Sequence, residues 1–252
     1  MQLWTPLLAK TLLPAFVAML LVSILLRKLL VDKRRSLRLI PLQVVAVLIV
    51  VLEIGKQAVS FSRGYDLYHI PLHFCSLFII AIPVMAFYQG KHWKIVATVV
   101  SSICTAVFLM MMIYPNLIYS DGNVRAFCTD YMSFHTVVFH NLVLFAFVLI
   151  LALELYTPVP KGESRAVFIF TLCFCVVSAS MAQILKTNYN NFYSCNVPPL
   201  ETLRTNLQVP LGYGVTQLLY VLIVTALDVG FLQLSYVLQK ILAKGIQKHK
   251  NN

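Results

Sequence analysis

Long apolar runs alternate with short polar clusters along the chain, and each run is close to the roughly 20 residues that a helix needs to cross a bilayer. The runs are Thr11–Leu30, Leu37–Val59, Tyr68–Tyr88, Lys94–Tyr114, Tyr131–Leu155, Ala166–Lys186 and Val209–Phe231. They predict an all-α, polytopic transmembrane helix bundle of about seven helices. Val229–Leu242 reads as an amphipathic extension of the last helix, followed by a basic tail over 243–252. No polar stretch is long enough for a separate soluble domain, so residues 1–252 read as a single membrane domain.

Composition agrees: the 252 residues are 60% hydrophobic and 12% charged, with mean hydropathy +0.82, far from a soluble domain. The net charge of +11 does not point to nucleic acid, because the basic residues cluster beside the apolar runs. There they act as orientation signals and contact anionic lipid head groups. Fourteen of the twenty Lys and Arg fall on one side of the predicted bundle, from Arg27, Lys28 and Lys33–Arg35 through Lys91, Lys94, Lys161 and Arg165 to Lys250. That side is expected to be cytoplasmic, with the N-terminus outside and the C-terminus inside. The first run precedes its basic cluster, the reverse of a cleavable signal, and is expected to stay as a helix. Six cysteines show neither a C-x-x-C pair nor metal-finger spacing, so no metal and no cofactor are expected. Cys173 and Cys175 lie in an apolar run; Cys128 and Cys195 fall in two loops on one side, which leaves a disulfide between them open. A homo-oligomer is also left open.

The third run begins Tyr68-His69-Ile70-Pro71-Leu72-His73-Phe74-Cys75-Ser76, and so carries two histidines, a cysteine and a serine into a hydrophobic span. A charged group there costs roughly 2.5 to 3.5 kcal/mol, so such residues face a cavity or a partner. Entering from the same side, Cys75 lies about 7 Å deep and His140 of the fifth run about 10 Å deep at the rise of a helix. More polar residues gather at that end: Glu53, Lys56, His135, Thr136, Gln183, Asn188 and Gln208. Glu53 and Lys56, three apart, can neutralise each other. His69, His73 and Ser76 share a face of an ideal helix, whereas Cys75 is about 200° from His73 unless Pro71 distorts the turn. His135 is about 140° from His140, which makes His140 the better partner for Cys75 and His135 the better structural histidine. Cys75 and His140 are therefore the candidate nucleophile and base of a covalent mechanism. His73, Ser76, His135, Asn188, Glu53 and Lys56 are the candidate substrate-binding residues.

The segments P-L-H-F-C at Pro71–Cys75, F-H-N-L at Phe139–Leu142, K-T-N-Y at Lys186–Tyr189 and V-P-L-G-Y at Val209–Tyr213 resemble, in matching order, the bacterial YwaF-type integral membrane proteins. Those in turn are distantly similar to the transmembrane protein 164 family, acyltransferases that remodel phospholipids through a cysteine acyl intermediate and a histidine. The resemblance implies a bacterial plasma membrane location, Cys75 and His140 as that cysteine and histidine, and membrane phospholipids as partners. The reading is thus a membrane-embedded lipid acyltransferase or acyl hydrolase. The alternative is a small-solute transporter or ligand-binding membrane protein using the same polar cavity, against which stands the lack of an internal repeat or of paired broken helices. A seven-helix receptor or assembly subunit fits the helix count alone.

Overall fold

Helices are the only regular elements among the described residues, 4–158 and 162–250 of a computed structural model. They are α1 (Pro6–Leu30), α2 (Arg35–Ser62), α3 (Phe78–Phe87), α4 (Trp93–Ile113), α5 (Asp121–Arg125), α6 (Tyr131–Ala152), α7 (Glu163–Leu185), α8 (Pro198–Leu211) and α9 (Tyr213–Lys250). Six of them, α1, α2, α4, α6, α7 and α9, are long and apolar enough to cross a membrane. α4 and α6 fill the middle. Val100, Ile103 and Val107 of α4 and Val143, Phe147 and Ile150 of α6 are buried, whereas α1 turns Leu21, Leu25 and Leu29 outward. In a bilayer that outward surface costs nothing, because lipid tails are as apolar as leucine. The bundle is therefore an integral membrane fold.

The third run departs from a continuous helix. Leu67–His69 and Phe74–Leu77 are single 3-10 turns, the chain between them bends through a tight turn in which the Leu72 N–H donates to the Ile70 carbonyl (2.7 Å), and only Phe78–Phe87 is α-helical. Pro71 cannot donate to a helical ladder, and Ile70 before it is held out of the α region at ψ 133°. The segment still runs alongside α2 in the opposite direction. Gln43 Nε2 donates to the Ala86 carbonyl (3.2 Å) and Gln57 Nε2 to the His69 carbonyl (3.0 Å). Fourteen residues of helix separate those two glutamines, about 21 Å of rise, so the broken segment is the seventh pass through the bundle.

The last run differs too. Gly212, at φ +75°, ends α8 and lets α9 start at a new angle. From there α9 continues without a break through Val229–Leu242, the stretch read as an extension of the last helix. α8, opened by Pro198 and Pro199, is an additional amphipathic helix with Leu200, Leu203 and Leu207 exposed along one flank. Lys161, the side chains of Lys248 and Lys250, and the last two residues of the tail lie outside the described residues.

Contacts define two ends of the bundle. At one, Trp4 Nε1 donates to the Met112 carbonyl (3.0 Å), Thr5 Oγ1 to Asp121 (2.6 Å), and Arg63 pairs with Asp130 (3.0 Å). At the other, Arg27 pairs with Glu154 (2.7 Å), Arg38 donates to the Leu153 carbonyl (3.1 Å), and Tyr236 of α9 donates to Glu163 (3.3 Å). Lys28, Arg34, Arg35, Lys91, Lys94 and Arg165 belong to this second, basic end. Gly55 allows α2 and α6 to meet closely: a Cβ there would fall 2.0 Å from Tyr131 Oη, which donates to the Leu52 carbonyl.

Asp130 joins these helices at the first end. It caps α6 by accepting from the Ser133 N–H (2.9 Å) while pairing with Arg63 of the α2 terminus. The backbone bond first, and then the Arg63 guanidinium, hold its carboxyl below the ordinary value. A depressed folded-state value means the stabilisation is complete above the unfolded value of about 3.9 and is lost as pH falls through the folded one. Asp130→Ala is expected to lower stability by about 1 kcal/mol at neutral pH. Denaturation of the detergent-purified chain as a function of pH checks this: the gap between variant and wild type should close below about pH 4.

Candidate functional site

The break in the third pass leaves backbone groups at membrane depth without helical partners, and side chains from α7 and the loop after it supply them. Asn190 does most of this. Its Oδ1 accepts from the Phe74 N–H (2.7 Å), and its Nδ2 donates to the Leu72 carbonyl (2.8 Å) and to Ser178 Oγ (2.8 Å). Ser178 Oγ in turn donates to the same Leu72 carbonyl (3.0 Å), and the Tyr189 hydroxyl donates to the Leu67 carbonyl. Asn190 sits at φ 50°, a left-handed conformation that asparagine tolerates better than most residues. Cys75 lies one residue beyond this clamp, in the first turn of the apolar helical unit Phe74–Phe87.

Around Cys75 the other groups are placed by α2, α6 and the α4–α5 connection. The Lys56 ammonium is within electrostatic range of Cys75, His73 and His140. Lys56 is also ion-paired with Glu53 (2.9 and 3.2 Å), as its spacing on α2 predicts. Glu53, buried, further accepts from Gln57 (2.6 Å). His135 Nε2 lies 3.2 Å from the other Glu53 oxygen, off the line of a well-directed hydrogen bond, so that contact is chiefly electrostatic. His135 thus belongs to the Glu53 network, one turn away from His140.

His140 Nδ1 is 2.7 Å from the Thr136 carbonyl. A carbonyl only accepts, so in the neutral ring Nδ1 carries the proton and Nε2 holds the free lone pair. The His140 ring meets the edge of Tyr119 at 5.7 Å between centroids. Tyr119, fully buried in the loop after α4, packs in the same core as Cys75, and its hydroxyl has no hydrogen-bond partner among the described residues. Burial pushes the Tyr119 phenol well above its ordinary value, and a negative charge on Cys75 pushes it further, so it is a hydrogen-bond donor at any physiological pH. Tyr119 therefore touches His140 and senses Cys75, and no sequence signal singled it out among twelve tyrosines.

The remaining candidates are placed differently from an ideal-helix projection. His69 and His73 are not on one helical face, because the chain breaks between them. His69 Nδ1 is 2.6 Å from Ser60 Oγ, and the His73 ring lies between Tyr68 (4.4 Å) and Tyr189 (5.3 Å). Ser76 donates its backbone N–H to the His73 carbonyl (2.9 Å). Asn188 is engaged in its own loop, accepting from the Tyr193 and Ser194 N–H groups and donating to Asn196. Gln183 donates to the Phe192 carbonyl (2.8 Å). All six cysteines are free thiols, Cys128 and Cys195 included. Among the described residues no group of three His, Cys, Asp or Glu is arranged to hold a metal ion.

This arrangement, an apolar bundle with a broken segment that carries Cys75 and a buried histidine on α6, coincides with a sequence match. The profile of the TMEM164 family covers residues 3–232. The chain belongs to the TMEM164 family. Of the two resemblances read from the motifs, this is the more distant one; the match does not bear on the YwaF-type one. No curated protein and no solved structure matches the chain.

The clamp makes a specific demand on Asn190. Asn190→Gly relaxes the positive φ but strips the Phe74 N–H of its acceptor, and a buried unsatisfied donor costs about 1–3 kcal/mol. Thermal denaturation of the purified variant should show that loss together with faster alkylation of Cys75 by a membrane-permeant maleimide. Wild-type stability and labelling would mean that the break is held by other contacts.

Proposed function

We propose that this member of the TMEM164 family is a phospholipid acyltransferase or acyl hydrolase working through Cys75 and His140. The observation that carries the reading is the Tyr119 side chain, against which His140 packs and which lies in electrostatic range of Cys75. In the proposed cycle, Cys75 Sγ attacks the carbonyl carbon of a glycerolipid ester as His140 Nε2 takes the thiol proton. The tetrahedral intermediate collapses, the carbon–oxygen bond breaks, and His140 returns the proton to the departing lysolipid oxygen. The acyl group then sits on Cys75 as a thioester. A lysolipid hydroxyl, or water in hydrolysis, attacks that thioester with His140 again as base, and the proton ends on the thiol.

Each neighbour has a role in this scheme. Tyr119 Oη, buried, protonated and without a partner, donates to the developing oxyanion. The Lys56 ammonium favours the thiolate, while Glu53, Gln57 and His135 fix the lysine in place. His73 and Ser76 flank the nucleophile on the substrate side. Asn188 shapes the loop that ends in the Asn190 clamp. By the positive-inside rule the basic end faces the cytoplasm, which puts Cys75 in the outer half of the bilayer, near the depth of lipid ester groups.

Intact-protein mass spectrometry after incubation with mixed phospholipids tests the scheme. Wild type is expected to carry a hydroxylamine-sensitive acyl mass that is absent in Cys75→Ala. Tyr119→Phe is expected to lower turnover about 100-fold with little change in lipid binding, as for loss of an oxyanion donor. Full lipid turnover in Cys75→Ala would overturn the mechanism, and vesicle uptake of a solute by that variant would favour a transporter instead.

A further inference from the structure

A second polar site lies at the opposite, basic end and does not rest on the acyl-transfer reading. A cavity of about 320 Å³ opens between the start of α2, the α3–α4 turn and the segment after α6, lined by Arg35, Arg38, Lys91, Trp93, Lys94 and Glu154 among others. Its cations are in part unmatched. Arg35 stacks its guanidinium 3.4 Å over the Trp93 ring, yet its Nε and Nη2 have no hydrogen-bond partner among the described residues. Arg38 uses Nη1 on the Leu153 carbonyl, and its Nε is buried without one. The wall's carboxylate, Glu154, is already paired with Arg27. Buried donors of this kind are uncommon in native proteins and call for an acceptor.

We propose that this cavity binds a phosphate group. Four cations line it against one carboxylate that is already paired with Arg27, so its walls carry unmatched positive charge. A phosphate offers several acceptor oxygens to the arginine forks, and guanidinium groups bind it in paired bonds that a single-atom anion cannot form. Trp93 orients the Arg35 plane, and its own Nε1 is anchored on the Met85 carbonyl (3.1 Å). Trp93 therefore belongs to the site's frame and does more than anchor the chain at the membrane interface. The phosphate has two candidate sources, the head group of an anionic lipid and a soluble phosphate. Ile40 and Ile95, outward-facing neighbours of Arg38 and Lys94, put lipid chains within reach of the site.

The full chain in detergent is compared with Lys91→Gln/Lys94→Gln, whose two exposed side chains are removable without touching the core. The control, Lys28→Gln/Arg165→Gln, removes equal charge from the same end outside the cavity. Native mass spectrometry reads binding of phosphatidic acid against phosphatidylcholine, and thermal denaturation reads the response to inorganic phosphate against chloride at equal ionic strength. Preferential binding of phosphatidic acid that weakens about tenfold in the cavity variant and not in the control supports the site with a lipid source. Stabilisation by inorganic phosphate with the same variant dependence, and no lipid preference, supports it with a soluble source. Absence of both responses, or equal weakening in the control, overturns it.

Discussion

A backbone that leaves its helix inside a bilayer has to find other partners for its N–H and C=O groups, and the Asn190 side chain provides them here. With no water to substitute, each unsatisfied group costs several kcal/mol, so irregular chain at that depth survives only when buried in protein. Asn190 closes the Phe74 N–H, the Leu72 carbonyl and Ser178 into one set. The placement of Cys75 follows from it. If the third pass were a regular helix, its thiol would point about 200° from His73, and its N–H would be spent in the ladder. The break instead begins a new helical unit at Phe74 and puts the cysteine in its first turn. In the same way α2, through Gln57 on the His69 carbonyl, holds the beginning of the broken segment while Lys56 and Glu53 supply its charge.

The polar residues within the bundle separate into two kinds. Glu53, Lys56 and Gln57 satisfy one another, and their cost is offset locally. Tyr119 Oη and the Arg35 and Arg38 nitrogens do not. The distinction matters more than the count of intramembrane polar groups, because a completed network stabilises a bundle without any ligand whereas an orphaned donor points to one. Of these, Tyr119 packs against His140, and the two arginines lie beside Trp93. Both readings of function proposed for this chain start from them.

The sequence was legible where hydrophobicity alone decides. Six spans follow from run length, and the Glu53–Lys56 pair follows from helical spacing. Three features were hidden for three different physical reasons. The break after Pro71 was foreseen only as a distortion, since one proline does not say where the freed carbonyls will go, and the partner that answers, Asn190, is 119 positions further on. Its signal was present, as two adjacent asparagines beyond Tyr189 suit left-handed backbone, but the motif reading stopped at Tyr189. α8 was missed because its leucines merge with the polar loop around it, and Gly212, the residue that ends it, reads equally as part of a span. Tyr119 carried no signal at all: its importance comes from burial without a partner, which only the packed structure reveals.

That last case bears on how the site residues relate to each other. Cys75 and His140 belong to different passes with α2 beside both, and nothing in the local sequence of either fixes their separation. Their relation is set by elements that do no chemistry. Asn190 fixes the level of the cysteine, Thr136 fixes the histidine tautomer, and the loop after α4 inserts Tyr119 beside the histidine. In the proposed mechanism such a bundle holds a nucleophile and a base in an apolar medium, with the charges one layer out, on Lys56 and Glu53. The outer layer is self-neutralising through the Glu53–Lys56 pair. For the proposed lipid-ester chemistry, that order of layers keeps the cost of burial low and the reactive atoms within reach of an apolar substrate.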